Sequence, residues 1–229
     1  MRKLLTILFL FVSLIGLGQV PFMIVSNNCT TCNGDEIIIG TQTWKRYNLN
    51  TDTLNDGTYI PNITDGVTWA GLSTLGRCYY NNDSLAYASI YGALYNWYAV
   101  NTGKLCPTGY HVSTDNNWYV LANYVDVTVD DPTYLGYQGI NVGYMLKSCN
   151  YWNTDGNGLD EYCETNVPSG IRHWNGLTFI NNGNYVLYWA SDSYDTDNAY
   201  TWGFFYNYNS IYRHYNDKNV GCSVRCIKD

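Results

Sequence analysis

The chain is poor in basic residues and in histidine. Only twelve of its 229 residues are Lys or Arg and three are His, against nineteen Asp and Glu. Basic surfaces attract phosphate backbones and anionic headgroups, so this balance argues against nucleic acid and anionic membranes as partners. The hydrophobic fraction of 46% and the aromatic fraction of 17% are those of an ordered globular protein.

Recognised catalytic motifs are also missing, including G-x-S-x-G, H-E-x-x-H and a glycine-rich phosphate loop. A nucleophilic centre needs a base, for which the histidines are His111, His173 and His214. His111 lies in an apolar run, which favours a hydrogen-bonded core histidine. The other two lie beside arginine and aromatic residues in predicted loops, which indicates surface contact. We therefore expect no catalytic residues and no enzyme activity.

The amino terminus has the plan of a secretory signal peptide. Arg2 and Lys3 precede an apolar run, Leu4 to Ile15, that is too short for a comfortable membrane span. We predict a signal peptide at 1–18, a tether at 19–34 and one domain at 35–229. The mature chain then has ten basic and nineteen acidic residues, a net charge of −9. We expect it to be secreted or on the cell surface, without a lipid anchor or membrane insertion after cleavage.

Cysteines in an exported chain indicate disulfides. Three local pairings are reasonable: Cys106 with Cys226, Cys149 with Cys163, and Cys29 with Cys32 or with separate partners. A zinc site is the alternative for the last pair, but a second CxxC is lacking. The disulfide candidates are Cys29, Cys32, Cys78, Cys106, Cys149, Cys163, Cys222 and Cys226.

The strongest local pattern runs from Tyr91 to Trp118. The spacing of Tyr91, Leu94, Tyr95 and Tyr98 predicts one face of a short helix, and Asn101-Thr102-Gly103 predicts its end. A turn and a buried strand, Tyr110 to Val112, follow. Ser113 or Thr114 can cap a second helix, whose apolar face is predicted at Trp118, Leu121, Ala122 and Val125.

The rest of the chain reads as short strands and long loops. A hairpin is predicted over Glu36 to Trp44, and turn residues fill the long loops at 50–82 and 148–170. The C-terminal third alternates strand-like runs with turns, at 177–179, 185–190, 201–206 and 222–227. Two helices with small antiparallel sheets predict an α+β fold.

Several of these segments resemble the Fibrobacter succinogenes major paralogous domain (FISUMP) family. The resemblance covers about residues 36–229 and is carried, in order, by IGTQTWKRYNLN, CYYNND, YGALYNWYAVNTGKLCPTGYHV and SVRCIKD. It implies a secreted or surface-exposed domain with a C-type lectin-like fold and without an established enzymatic activity. Departures from the family's usual residues are Tyr110 for Trp, Ser113 for Pro, Asn117 for Glu and Cys222 for Phe.

A calcium site is one candidate for chemistry in the second long loop. Asn153, Asp155, Asn157 and Glu164 match the oxygen spacing of an EF-hand loop, with Asn153 in place of the leading Asp. Calcium would be the cofactor implied. Turn chemistry is the alternative, because Asn, Asp and Gly cluster in any turn-rich loop. The motifs with which sugar-binding C-type lectins hold calcium and hexose are absent.

The segment from Tyr188 to Asn219 interleaves aromatic residues with Asn, Asp and Ser, the mixture that antibody loops use for recognition. Some of its aromatic residues alternate as strand residues and are predicted to fill the core: Tyr188, Trp189, Trp202, Phe204 and Tyr206. The predicted contact surface is Tyr194, Asp195, Asn198, Tyr200, Asn207, Tyr208, Asn209, Tyr212, His214, Tyr215 and Asn216.

These observations favour a secreted or cell-surface binding module that presents the Tyr/Asn-rich segment to a protein or glycan ligand, in adhesion or recognition. The segment also resembles the variable region of proteins diversified by retroelements, in which adenine-containing codons are randomised. The alternative is a structural subunit of an extracellular assembly, in which the tyrosines pack between copies.

Overall fold

The computed structural model describes residues 33–229. The predicted signal peptide and nearly all of the predicted tether, with Cys29 and Cys32, lie outside the described residues. Within them the protein is mixed α+β, with short helices and small antiparallel sheets, as predicted. None of the helices in this part of the chain is long and apolar enough to cross a membrane.

The first sheet brings the two ends of the described chain together. β1 (Glu36–Ile39) and β2 (Gln42–Lys45) form the predicted hairpin, which turns at Gly40 with φ of 60°. The strand order is β1, β2, β12 (Cys226–Lys228) and β5 (Tyr110–Val112), all antiparallel. Exposure alternates along β1, so one face of this sheet packs on the core.

The second sheet contains most of the C-terminal third. Its order is β6 (Gly136–Gln138), β11 (Ile211–Asp217), β10 (Asn198–Phe205) and β9 (Tyr185–Ser193), again antiparallel. Strands were predicted at β9 and β10. The residues of β11 were expected in loops, and that prediction is wrong because they pair with β10 along their length.

A helix locks the second sheet to the first. α4 (Asp115–Val125) lies where the second helix was predicted, and the Thr114 side chain caps it by accepting from the Asn117 amide. Its Trp118 ring stacks on Tyr188 at 5.0 Å and lies 5.0 Å from Trp44. The predicted apolar face of this helix is buried, so the two sheets share one core.

The helix predicted across Tyr91 to Tyr98 is wrong. α2 (Ser84–Tyr91) ends at Gly92, β4 (Leu94–Tyr95) follows, and α3 (Trp97–Val100) is a single short turn. β4 is a buried middle strand, because β3 (Arg77–Cys78) pairs with one side and Cys222 with the other. A short apolar run buried on all sides cannot be assigned to helix or strand by periodicity alone.

The remaining α-helices and strands are short and lie in largely irregular parts of the chain. They are α1 (Gly66–Ala70), α5 (Val142–Leu146), β7 (Ile171–Arg172) and β8 (Phe179–Ile180). Most of the chain between them is irregular, so its backbone carbonyls need other hydrogen-bond donors.

Buried cations supply many of those donors. Six of the ten basic residues in 33–229 are buried, and each donates to at least one backbone carbonyl of a loop or strand end. They are Arg77, Lys147, Arg172, Arg213, Lys218 and Arg225. Arg225 is the most central of them, since its guanidinium reaches Lys45 O, Arg46 O, Thr165 O and the Asn48 side chain.

Arg213 also forms a two-point ion pair. Its Nε lies 2.9 Å from Asp115 Oδ1 and its Nη2 lies 2.7 Å from Asp115 Oδ2, while Trp202 Nε1 donates to Oδ1 at 2.8 Å. Asp115 is the first residue of α4, so the pair ties that helix to the middle of β11. Burial by itself would lower the pKa of Arg213. The hydrogen bonds and the charge of Asp115 outweigh this effect, so the pKa of Arg213 is raised.

Cysteine pairing agrees only in part with the prediction. Cys106 and Cys226 form the predicted disulfide, with Cα atoms 5.8 Å apart. Cys149 and Cys163 are also disulfide-bonded, and a bond between the two stays a prediction.

The prediction that Cys78 and Cys222 form disulfides is wrong, since both are buried free thiols. Cys78 lies opposite Leu94 in β4 and Cys222 lies opposite Tyr95. Neighbouring strand residues point to opposite faces, so the two thiols face different parts of the core and cannot pair.

The buried and exposed ion pairs should differ in their effect on stability. We expect Arg213→Met to lower the free energy of unfolding by about 3 kcal/mol, because it leaves the Asp115 carboxylate largely buried without its partner. Lys104→Met breaks an exposed pair with Asp56 and should cost less than about 1 kcal/mol. Urea unfolding of both variants measures the difference, and equal losses would contradict the stabilising role of the Arg213–Asp115 ion pair.

Candidate functional site

The predicted contact residues lie on one antiparallel hairpin and its neighbouring turn. The turn between β9 and β10 holds Tyr194 and Asp195, and the turn between β10 and β11 holds Asn207, Tyr208 and Asn209. These turns lie at opposite ends of the sheet, and β11 connects them. None of the eleven predicted contact residues is buried, and they are spread over β10, β11 and the two turns instead of forming one cluster of loops.

The residues predicted to fill the core do so with one exception. Tyr188, Trp189, Trp202 and Phe204 are fully buried, whereas Tyr206 is 38% exposed. Tyr206 follows the end of β10, so the alternation of the strand no longer determines where its side chain points. Its prediction as a core residue is wrong.

Stacked rings run the length of β11 and form what we call the aromatic ladder. It comprises Tyr137, Tyr194, Tyr200, Phe205, Tyr208, Tyr212, His214 and Tyr215. At one end Tyr137 stacks on Tyr208 with ring centroids 4.1 Å apart and lies 4.6 Å from Tyr212. Phe205 packs its edge against Tyr212 at 5.4 Å. The β10–β11 turn is therefore held by ring contacts as well as by its backbone.

At the other end, Tyr194 and Tyr215 are almost parallel, with centroids 4.0 Å apart and an angle of 5° between the planes. Tyr200 meets Tyr194 edge-on at 5.3 Å. His214 joins the two ends, since its ring stacks on Tyr212 at 5.4 Å and on Tyr215 at 4.6 Å. Pairs of this kind contribute about 0.5–1.5 kcal/mol each beyond their buried area.

Two ladder residues were missed by the sequence reasoning. Tyr137 belongs to β6, and its register opposite Tyr212 places it on the same face of the sheet. Phe205 ends β10 and lies opposite Tyr185. Only the pairing of strands far apart in the chain brings Tyr137 to this surface, and no local signal indicated it. Burial together with the neighbouring Tyr208 and Tyr212 raises the pKa of Tyr137 to about 12.

Polar side chains make the two turns rigid. Asp195 Oδ1 accepts from the amides of Asp197 and Asn198 at 2.8 and 2.7 Å. The hydrogen bond from the Asn198 side chain is the largest cause of a lowered pKa at Asp195, and these two amide bonds lower it further. Asn216 donates to Thr201 Oγ1 at 2.8 Å. Asn207 and Asn209 keep exposed side chains, although the Asn209 carbonyl accepts from two amides of α5.

Lys147 anchors the turn that carries Tyr208. Its Nζ donates to the carbonyls of Phe205, Tyr206 and Tyr208 at 3.0, 3.3 and 3.0 Å. The side chain is buried without a carboxylate partner, and this burial lowers its pKa to about 8. A single amino group thus replaces the backbone partners that the turn lacks.

Some of the predicted calcium ligands make hydrogen bonds to other residues. Asn153 Nδ2 donates to Asn184 Oδ1 at 2.8 Å, and Asn157 Oδ1 accepts from the Trp152 amide at 3.2 Å. Asp155 is exposed, with a positive φ of 60° that agrees with turn chemistry. Within residues 33–229, no group of three or more His, Cys, Asp or Glu side chains is placed to hold a metal ion.

Glu164, the fourth predicted calcium ligand, lies inside the core. Its Oε2 accepts from Asn166 at 2.7 Å, and its Oε1 lies 4.0 Å from Arg225 Nη1. Burial raises the pKa of this carboxyl. Its contacts are with the Arg225 network and not with the loop oxygens, and calcium binding stays a prediction.

The other histidines and the surface clefts lie away from the ladder. His111 is not a core histidine as predicted, because β5 is an edge strand and the ring is half exposed between Asp229 and Asn117. His173 stacks on Trp174 at 5.2 Å. Clefts of about 200 and 350 Å³ flank the Cys106–Cys226 disulfide, and neither is lined by a predicted contact residue.

Removal of the Lys147 amino group should alter stability in a pH-dependent way. We expect Lys147→Met to cost about 2 kcal/mol at pH 7, because three carbonyls lose their donor. The native pKa of about 8 lies below the ordinary 10.5, so between these values the unfolded chain binds more protons. The unfolding free energy of the wild type should therefore rise, relative to the variant, from pH 8 to 10.5.

Urea unfolding of both chains across this pH range measures the effect. Because the buried tyrosines titrate in both chains, they cancel in the difference. A constant difference between the wild type and the variant would show that Lys147 is not buried as a cation.

Comparison with known proteins adds a family assignment. Residues 37–228 match the family model of the Fibrobacter succinogenes major domain. Searches of the curated proteins and of the solved structures found no match. The match includes both sheets, the Cys106–Cys226 disulfide and the whole aromatic ladder. The chain belongs to the Fibrobacter succinogenes major domain family.

Proposed function

We propose that this protein is a secreted or cell-surface binding module without catalytic activity, and that the aromatic ladder is its recognition surface. The observation that supports this most directly is the partial exposure of eight rings in mutual contact, which come from β6, β10, β11 and the two turns of the second sheet. Tyrosine gives large contact area at a small cost in conformational entropy, and exposed Asn and Asp around it provide adaptable hydrogen bonds.

The surface is also rigid before any partner binds. Lys147 holds the Tyr208 turn, and Lys218 holds the opposite turn by donating to the carbonyls of Asp195 and Thr196 at 2.8 and 2.7 Å. Arg213 fixes the middle of β11 to α4. A surface held in this way loses little entropy on binding, so more of its contact energy appears as affinity.

Family membership and the mixed α+β architecture support a C-type lectin-like fold for this module, a fold that presents surface segments on a stable scaffold. The apolar N-terminal run and the disulfides support export. Function is proposed here from the surface itself and not from the fold, because one fold carries many functions.

One contact favours a binding module over a self-assembling subunit. β6 covers the outer edge of β11 only from Ile211 to Arg213. Beyond Arg213, the His214 ring Nδ1 lies 2.8 Å from the Tyr215 carbonyl oxygen, and the hydrogen bond between them occupies this carbonyl. An occupied carbonyl and a stacked ring protect this edge against strand addition by another copy. Light scattering should accordingly show a monodisperse monomer.

Binding should depend on the Tyr208 end of the ladder. We expect Tyr208→Ala with Tyr212→Ala to weaken a partner found by glycan array or surface-protein pulldown by more than about 30-fold, the effect of losing an interface hot spot. The control is Tyr59→Ala, an exposed tyrosine outside the ladder. If both variants keep wild-type binding and folding, the recognition surface lies elsewhere.

Diversification of the segment is part of the same proposal. Its enrichment in Tyr, Asn, Asp and Ser is what randomised adenine-containing codons produce, and it coincides with the ladder. We expect a nearby template repeat in the genome that differs from this segment only at adenines. Identical copies in related isolates, without such a repeat, would contradict diversification and leave the binding surface unaffected.

A further inference from the structure

The orientation of the rings limits what the ladder can bind. Tyr194 with Tyr215, Tyr137 with Tyr208, and Tyr212 with His214 are stacked within 18° of parallel, at 4.0 to 5.4 Å. A ring stacked this closely has one face covered by its neighbour. Sugars bind aromatic residues mainly through open ring faces, and each stacked pair leaves at most one such face on each ring. Rims and hydroxyl groups remain, as in tyrosine-rich protein interfaces.

The phenol hydroxyls of the ladder are available to a partner. Within the described residues, those of Tyr137, Tyr194, Tyr208 and Tyr215 make no hydrogen bond to another residue. Each can donate one hydrogen bond and accept others. A row of such groups fits the guanidinium, ammonium and amide groups of a protein surface.

Burial of the cations leaves the surface far more acidic than the net charge suggests. Outside the buried set, residues 33–229 keep four basic side chains and seventeen acidic ones. The four are Lys45, Arg46, Lys104 and Lys228. Lys45 and Lys228 contact Glu36, Lys104 contacts Asp56, and Arg46 donates to Thr165, and none of these partners belongs to the ladder. No exposed cation therefore lies beside the ladder within the described residues.

Carboxylates, in contrast, surround the Tyr194 end. Asp192 is the penultimate residue of β9, and Asp195 and Asp197 lie in the same turn as Tyr194, all three exposed. The nearest cations, Arg213 and Lys218, are buried and donate to Asp115 and to backbone carbonyls. The hydrogen bonds that lower the pKa of Asp195 keep it ionised at neutral pH. Lys218 lies close enough to contribute to the lowered pKa of Asp195, but three exposed carboxylates share this one buried ammonium. This end of the ladder is therefore net negative beside tyrosine hydroxyls.

We infer that the partner of the ladder is a protein surface rich in lysine and arginine, docked at the Tyr194 end, and not a neutral glycan. This inference rests on the proposed function and adds the class of partner to it. Charge complementarity of this kind accelerates encounter and selects against acidic partners. It also makes binding sensitive to salt.

Panning of a phage-displayed random peptide library on the immobilised mature protein tests this. The enriched peptides should carry net positive charge, and their affinity should fall about tenfold between 50 and 300 mM NaCl. The triple variant Asp192→Asn, Asp195→Asn, Asp197→Asn should weaken them at least as much. Asparagine keeps one acceptor oxygen at each position, enough for the two backbone amides that Asp195 holds and the one that Asp192 holds. The contact of the Asn198 side chain with Asp195 Oδ2 is lost.

A matched control removes the same charge elsewhere. The variant Asp35→Asn, Asp155→Asn, Glu161→Gln changes three exposed carboxylates outside the ladder and should leave peptide binding unchanged. Tyr194→Ala should weaken binding as the first triple variant does. Equal losses in the two triple variants would indicate attraction to net charge alone and overturn the inference.

The remaining outcomes separate this inference from the proposed function. One outcome is that neutral or acidic peptides, or neutral glycans on an array, bind the wild type but not the double variant Tyr208→Ala, Tyr212→Ala. This result would overturn the inference of a basic partner, while the ladder would remain the recognition surface. Enriched peptides whose binding is unchanged by every ladder substitution would overturn both this inference and the proposed recognition surface. A panning without enrichment over the bare support would overturn the basic partner.

Discussion

Hydrogen bonding of buried cationic side chains to loop carbonyls is the interaction on which this structure depends. Most of the chain between the short helices and strands is irregular, and an unpaired buried carbonyl is costly. Arg225 serves the hairpin and the second long loop, Arg172 the first long loop, and Lys147 and Lys218 the two ends of the second sheet. The cations thus perform the role that regular secondary structure performs elsewhere.

The same interaction shapes the surface. A chain with few basic residues that buries six of them leaves its exterior strongly acidic, although the net charge over the whole sequence is only −7. The turns that Lys147 and Lys218 hold are the turns that bear Tyr208 and Tyr194. Stability and the proposed recognition surface are therefore linked through the same side chains.

Prediction from the sequence succeeded where the signal was local and failed where it was not. The hairpin, the second helix and its apolar face follow from alternation, periodicity and a capping Thr114, all within a few residues. The helix across Tyr91 to Tyr98 failed because β4 takes its conformation from Cys78 and Cys222, which are distant in the chain. The burial of Glu164 likewise depends on Arg225. Nothing in the loop that contains Glu164 indicates this contact.

The sequence by itself determined the α+β class, the family and the residues that stay out of the core in the Tyr/Asn-rich segment. Composition, periodicity and motif order suffice for these, because each is recorded in neighbouring residues. Tertiary structure decided that Cys78 and Cys222 stay reduced, that Tyr137 joins the ladder, and that the cations turn inward. Each of these is set by the register between strands far apart in the chain, which no local pattern specifies.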